Sequence, residues 1–209
     1  MREQLDRYLD LLLTANAHTN LTAIRDPEEI RIRHFEDSMQ LLNAADFQHK
    51  RVLDVGSGAG FPGLVLRIAE PSVMLTLLDA TGKKVRFLQS VCDALGFSDV
   101  ICLHGRAEEL AHDPAYRERF DVVTARGVAA LPALCEICLP FVTVSGLFLS
   151  MKETPETFSS VERLGGIQEE PYRYELSDGR THAVCRFRKV TLTPEQYPRS
   201  WGKIKSGGI

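Results

Sequence analysis

Arg51-Val52-Leu53-Asp54-Val55-Gly56-Ser57-Gly58-Ala59-Gly60-Phe61-Pro62-Gly63 is the stretch on which the fold turns. Its apolar run, Val52–Val55, reads as a buried strand, and the glycine-rich loop behind it opens a helix. Glycines at such a junction permit a tight turn and let a ligand approach the backbone closely. Outward from this point the chain alternates. Strand-like runs at Val73–Leu78, Val100–Leu103, Phe120–Thr124 and Gly146–Met151 are separated by helical patterns. One pattern is Val85, Leu88, Val91, Cys92 and Leu95, with Gly96 placed as a C-cap. This alternation predicts a parallel sheet with helices on both faces. Tyr172–Leu176 and His182–Val190 flank Asp178-Gly179, a tight-turn pair, and predict a closing antiparallel hairpin. Upstream, Leu5, Tyr8, Leu9, Leu12 and Leu13 make one apolar stripe at helical period. Asp26-Pro27-Glu28-Glu29 supplies a cap, a first-turn proline and acids for a second helix running to about Leu42.

The expected fold is therefore α/β: a Rossmann-like, mostly parallel seven-stranded sheet with a terminal antiparallel hairpin, preceded by N-terminal helices. This is the class I S-adenosylmethionine-dependent methyltransferase arrangement, whereas a dinucleotide-binding domain more often continues with parallel strands. The 209 residues suit one domain, with a helical extension over 1–48, the core over 49–192 and a basic tail over 193–209. Hydrophobic residues at 44% and charged ones at 25% are the composition of a soluble globular chain. No apolar run is long enough to span a bilayer, and MREQLDRYLD lacks a signal-peptide layout. The five scattered cysteines fit reduced thiols, hence a cytoplasmic location. Cys135-Glu136-Ile137-Cys138 has CxxC spacing without a second pair, so a buried helix face is expected and no metal. The net charge of −3 argues weakly against a nucleic-acid binder. It conceals an asymmetry: Arg186, Arg188, Lys189, Arg199, Lys203 and Lys205 against Glu195 leave residues 186–209 at +5, and the remaining 185 at −8. That basic tail can face RNA, while the acidic balance predicts poor affinity for arbitrary RNA.

The loop's ligand can be argued from two acids. Asp54 gives the pattern DxGxGxG, and an acid there suits a ligand with a positively charged amino acid moiety better than a pyrophosphate. Asp79 ends the second strand, 19 residues after Gly60, where it can accept from both ribose hydroxyls. The second feature is shared by NAD sites, so an NAD-dependent oxidoreductase stays a rival. No Tyr-xxx-Lys pair of a dehydrogenase is present among the five tyrosines.

The residues also carry a resemblance. Asn20-Leu-Thr-Ala-Ile-Arg25-Asp26-Pro27, Arg33-His34-Phe-Glu-Asp37-Ser38 and Val55 to Gly63 resemble the ribosomal RNA small subunit methyltransferase G family, also called glucose-inhibited division protein B. So do Leu78-Asp79 with Lys83-Lys84, Arg106-Ala107-Glu108-Glu109, Ala125-Arg126-Gly-Val-Ala129 and Met151-Lys152. The resemblance implies transfer of a methyl group from S-adenosyl-L-methionine to N7 of a guanine in bacterial 16S ribosomal RNA, within the small subunit or its precursor. We expect a monomer, with no membrane partner. A ribosome-assembly RNA-binding factor is the non-catalytic alternative. The family's tail commonly runs Pro-Arg, Gly-x-Pro, Lys-Pro; here Tyr197-Pro198-Arg199 leads into Ser200-Trp201-Gly202-Lys203-Ile204-Lys205.

The resemblance places cofactor contacts at Gly56, Phe61, Ala107, Glu108 and Arg126, to which the loop adds Gly58, Gly60 and Asp79. Phe61 can pack against the ligand's apolar portion, and Ala107-Glu108 can read adenine. Glu108 can equally be first-turn decoration, and Arg126 a surface arginine paired with Asp121 or Glu108. Arg33, His34 and Lys152 are candidates for the RNA side; an Arg33–Asp37 salt bridge and a His34–Ser38 hydrogen bond would explain that helix face without function. Lys83, Lys84 and Arg86 oppose a helix dipole, so they await an RNA phosphate or use their stems for packing. No catalytic general base is expected, because guanine N7 has no proton to lose.

Overall fold

The computed structural model describes residues 1–207. Helix α1 (Arg2–Thr19) buries Leu5, Tyr8, Leu9 and Leu12 of the predicted stripe, leaves Leu13 half-buried, and ends with Asn20 in the left-handed region that asparagine tolerates. Buried Asn16 ties down the next turn: its side-chain oxygen accepts from the amides of Leu21 and Thr22, and its amide donates to the Thr22 carbonyl. Asp26 then caps α2 (Pro27–Ile30) by accepting from Glu29 N at 2.9 Å. The second helix, predicted to run to about Leu42, keeps right-handed helical backbone to Ala44, and its hydrogen bonding changes along the way. The chain winds as a π-helix over Arg31–Glu36, returns to α3 (Asp37–Met39), and turns at Gln40 into α4 (Leu41–Ala44).

The alternating region begins with β1 (Arg51–Val55), α5 (Gly63–Ala69), β2 (Met74–Asp79), α6 (Gly82–Leu95), β3 (Ile101–His104) and α7 (Ala107–Leu110). It continues with β4 (Phe120–Arg126), α8 (Leu131–Cys138), β5 (Val142–Lys152), β6 (Gly166–Glu175), β7 (Thr181–Lys189) and α9 (Trp201–Lys205). The seven strands form one sheet in the order β3-β2-β1-β4-β5-β7-β6. Neighbours are parallel from β3 to β5, and β7 is antiparallel to both β5 and β6. The predicted architecture therefore stands, with two strand bounds corrected. β6 begins six residues before Tyr172, because Pro171 sits in a register shift between Glu169 and Tyr172 that breaks the alternation. β5 begins at Val142 through a similar irregularity opposite Phe120–Val122.

One face of the sheet packs on α1, α5 and α6 through residues such as Leu12, Leu64, Leu75 and Leu88. The other packs on α8 through Leu53, Val123, Leu134 and Phe148. Cys135 and Cys138 lie in this second layer, both fully buried, and burial pushes both thiols above the usual range. The strand order reverses between β1 and β4. In open α/β sheets that reversal opens a crevice at the carboxyl ends of the strands. The termini of β1 (Val55–Gly56) and β4 (Arg126–Val128) border it. Among the described residues, no helix is long and apolar enough to cross a membrane.

Candidate active site

Asp54 organises the loop from beneath. It is fully buried on β1, beside its register partner Thr124 on β4. Thr124 Oγ1 donates to Asp54 Oδ1 at 2.8 Å, and Gly63 N donates to Oδ2 at 3.3 Å. Burial raises this carboxyl to about 6, against the opposing pull of those bonds. The expectation that Asp54 faces a cationic ligand group changes accordingly: its side chain is spent on tying the two ends of the loop to the sheet. Gly56, with φ of +70°, comes directly after β1, and a Cβ there would collide with Val128 Cγ2. Only glycine lets the β1 and β4 loops approach this closely.

Asp79 ends β2 at the mouth of the crevice. Its Oδ2 accepts from Gly58 N at 2.9 Å and its Oδ1 from Thr81 N at 2.8 Å. Two bonds leave this carboxyl group further acceptor capacity for a diol. Lys84 Nζ stands 4.0 Å from Oδ2. This accounts for one first-turn cation of α6 by a third route, an internal acid, beside the phosphate and the packing stems. Asp79 lines a cleft of about 140 Å³ with Gly56, Ala107, Glu108, Ile137, Val128 and Trp201 among others. Four predicted cofactor residues, Gly56, Asp79, Ala107 and Glu108, thus meet at one slot with apolar walls and a carboxylate. That donor set fits an adenosine. Glu108, in the first turn of α7, also pairs with Arg106 at 2.6 Å.

Gly58, Gly60, Phe61 and Arg126 sit elsewhere. Gly58 supports Asp79 from behind. Gly60 and Phe61 turn toward the N-terminal helices. The Phe61 ring is 5% exposed and packs between Tyr8, His34 and Phe35 at centroid distances of 5.4, 4.5 and 5.8 Å. The first helices cover that side of the loop and take the ring up in this aromatic cluster.

Arg126 lies over Phe61, with its guanidinium carbon 5.1 Å from the ring centroid. It donates from Nη1 to Asp37 Oδ2 at 3.0 Å and to the Arg33 carbonyl at 3.1 Å, and from Nη2 to His34 Nδ1 at 3.0 Å. Neither Asp121 nor Glu108 is its partner; these acids pair with Arg51 and Arg106. The supposed Arg33–Asp37 bridge is also absent, since Arg33 reaches Glu29 and Asp37 is 3% exposed. Asp37 instead accepts from Tyr174 Oη at 2.7 Å and contacts His182 Nδ1 at 2.8 Å. Ser38 does bond His34, through its hydroxyl to the His34 carbonyl. Nδ1 of His34 stands 3.0 Å from both Arg126 Nη2 and the Arg33 carbonyl oxygen; a guanidinium only donates, which favours the tautomer with the proton on Nε2, facing Thr22 Oγ1 at 2.8 Å. Burial and the adjacent Arg126 charge lower this imidazole to about 3, so it is neutral.

Arg33, His34, Asp37, Arg126 and His182 line a second cleft, of about 460 Å³, together with Gly127, Met151, Lys152, Glu153 and Glu156. All three predicted RNA-side residues, Arg33, His34 and Lys152, face it. The volume falls within the ~300–1,000 Å³ of small-ligand sites. Consecutive residues divide the two clefts: Gly127 lines the larger, Val128 the smaller. Sequence reasoning placed Asp37 on the helix face read as the RNA side but missed Tyr174, His182 and Trp201. Tyr174 and His182 join Asp37 only by tertiary folding, and Trp201 is reached only through the tail.

Comparison with known proteins gives the family. The family described as rRNA small subunit methyltransferase G matches residues 1–163. Ribosomal RNA small subunit methyltransferase G of Leuconostoc citreum is 41% identical over 96% of this chain and 87% of its own length. That of Acetivibrio thermocellus is also 41% identical, over 96% and 87%. Among solved structures, an S-adenosylmethionine-dependent methyltransferase from Aquifex aeolicus shares the fold, with TM-score 0.53 and 15% identity over 77% of this chain and 93% of that one. Neither the oxidoreductase nor the non-catalytic alternative is favoured by these likenesses. Two clefts meeting at the β1–β4 crevice, and relatives aligned nearly end to end, place the chain in the rRNA small subunit methyltransferase G family.

Proposed function

We propose that this chain transfers the methyl group of S-adenosyl-L-methionine to N7 of a guanine in 16S ribosomal RNA, with the cofactor's adenosine end entering the 140 Å³ cleft and the guanine in the 460 Å³ cleft. The juxtaposition of the two clefts at Gly127-Val128 carries this reading. Family membership supports the methyltransferase activity, the cofactor and the rRNA substrate. We take the protein to act as a cytoplasmic monomer on the small subunit or its precursor.

The cofactor supplies an electrophilic methyl group. Asp79 would hold its ribose hydroxyls, and Ala107-Glu108, Ile137 and Trp201 its adenine. On the substrate side, the protein's work is orientation. Arg126, braced by Asp37, Phe61 and His34, presents a fixed cation on the wall between loop and hairpin. Guanine N7 carries a lone pair and no proton, so no side chain need act as base. Glu153 on the cleft wall offsets the positive charge that the purine ring gains. Holding both reactants in register supplies most of the acceleration.

The test is transfer of labelled methyl to small subunits that lack this modification, with the product mapped by chemical cleavage at 7-methylguanine. Label on one guanine is expected. At saturating substrates the rate should stay level from pH about 6.5 to about 7.5, because no side chain acts as base. Label on another base, or a bell-shaped profile within that interval, would defeat the reading. In Arg126→Lys, which keeps the charge but loses the fork and the stack, turnover should fall about 100-fold.

A further inference from the structure

The C-terminal tail is built into the molecule rather than left as an arm. Arg199 donates from its backbone N and Nε to Glu136 Oε1 and from Nη2 to Oε2, all at 2.8 Å, and Glu136 is fully buried on α8. Arg117 donates to the carbonyls of Thr193, Pro194 and Tyr197 at 2.8, 3.2 and 2.9 Å. His112 Nε2 lies 2.8 Å from the Pro198 carbonyl oxygen. Beyond Trp201, Ile204 is 5% exposed in the layer under α8. The chain is therefore pinned on both sides of Trp201.

Trp201 is half-buried, packs on the same layer, and lines the smaller cleft with Asp79, Ala107, Glu108 and Ile137. It also borders an outer cavity of about 440 Å³ with Arg106, His112 and Pro198. Trp201 thus stands, with the paired Arg106 and Glu108, between the cofactor cleft and the outer cavity. Ala107 and Ile137 are aliphatic; Trp201 is the aromatic surface at that end. An adenine ring has two faces that must leave water on binding, and an indole covers such a face by stacking.

We propose that Trp201 is the aromatic wall of the adenine subsite, so that the C-terminal tail is part of the cofactor site and sets its affinity for the nucleobase. This rests on the smaller cleft being the cofactor cleft. It assigns the Arg199–Glu136 pair and the Arg117 clamp a positioning role: they hold the indole at the cleft mouth.

Trp201 is the one tryptophan of the chain, so its emission reports on this subsite alone. Titration of the full chain with S-adenosylhomocysteine should change that emission and reach half its full change at the dissociation constant found by calorimetry. In Trp201→Ala the constant should rise about tenfold by calorimetry, and in Trp201→Phe by no more than about threefold. Methylthioadenosine, which lacks the amino acid end, should lose the same factor in Trp201→Ala. Thermal unfolding checks that each variant is folded, and the wild-type emission and Trp201→Phe stand if the alanine variant is not. Calorimetric binding with unchanged emission, or with both variants within twofold of wild type, overturns the proposal and leaves the cofactor reading intact. Absence of calorimetric binding to the wild type overturns both.

Discussion

His34 and Asp54 answer acid in opposite directions, and their signs are fixed by their surroundings. Burial and Arg126 lower His34 to about 3 from 6.5. Between these values the unfolded chain binds a proton that the folded one does not, so stability from His34 is full above pH 6.5 and lost as pH falls toward 3. Burial raises Asp54 to about 6 from 3.8. There the folded chain holds the extra proton, so stability from Asp54 is present below pH 3.8 and declines as pH rises through 6. The windows overlap and oppose each other. We therefore expect His34→Gln, which preserves an acceptor for Arg126 and a donor for Thr22, to remove one limb. Urea unfolding from pH 6.5 to 4 should show wild-type stability falling more, or rising less, on acidification than the variant's. Parallel pH dependence would exclude the neutral-histidine assignment. The sequence made the strand-end Arg126 and the loop acids legible, since type and position sufficed. It did not make legible that Asp54 would be sealed beneath the loop, or that Asp37 would be Arg126's partner. Those depend on packing between β4, the π-helical turn and the β6–β7 hairpin, which no local spacing encodes.

At the scale of elements, strand-loop-helix units were readable because hydrophobic period and glycine placement coincide in them. The π-helical winding of Arg31–Glu36 and the start of β6 were not, because each departs from a regular period. The helical stripe of α1 was legible, but its purpose emerges only at the glycine loop. Tyr8 Oη donates to the Ala59 carbonyl. Gly60 has φ of +100°, and a Cβ there would lie 2.5 Å from both Tyr8 Oη and Leu64 Cδ1. Gly60 therefore serves the docking of α1 on the loop more than ligand approach. Gly60→Ala should cost about 2–4 kcal/mol, from backbone strain plus overpacking. Tyr8→Phe alone should cost about 1 kcal/mol through the lost hydrogen bond. Because the phenol oxygen is one of the two atoms in the way, the double variant should lose less than the sum. Urea midpoints decide it: a Gly60→Ala stability within about 0.5 kcal/mol of wild type would remove the packing role.

Over the whole molecule, a net charge of −3 with a +5 segment from Arg186 onward suggested a basic arm for RNA. The fold changes this count. Arg186 and Arg188 both pair with Glu169, at 2.9 and 2.8 Å, and Arg199 with Glu136. Lys189 is fully buried against Glu118 at 3.2 Å, and burial lowers it to about 8. Sequence could tally these cations but not find acids that lie far away along the chain. Only Lys203 and Lys205 of the six remain exposed, flanking the Trp201 end of the cofactor cleft. If they contact rRNA phosphates, Lys203→Ala/Lys205→Ala should reduce the salt dependence of RNA binding by about 1.4 in logarithmic slope, near 0.7 per single-strand contact. Arg188→Ala should leave that slope unchanged and lower the urea midpoint, because it removes an internal partner of Glu169 and the 2.9 Å bond to the Ser145 carbonyl. The comparison separates two arginine-and-lysine populations that composition merges. An Arg188→Ala slope change as large as the double lysine variant's would mean that the hairpin cations face RNA after all, and that the internal pairing with Glu169 opens when the ribosomal substrate binds.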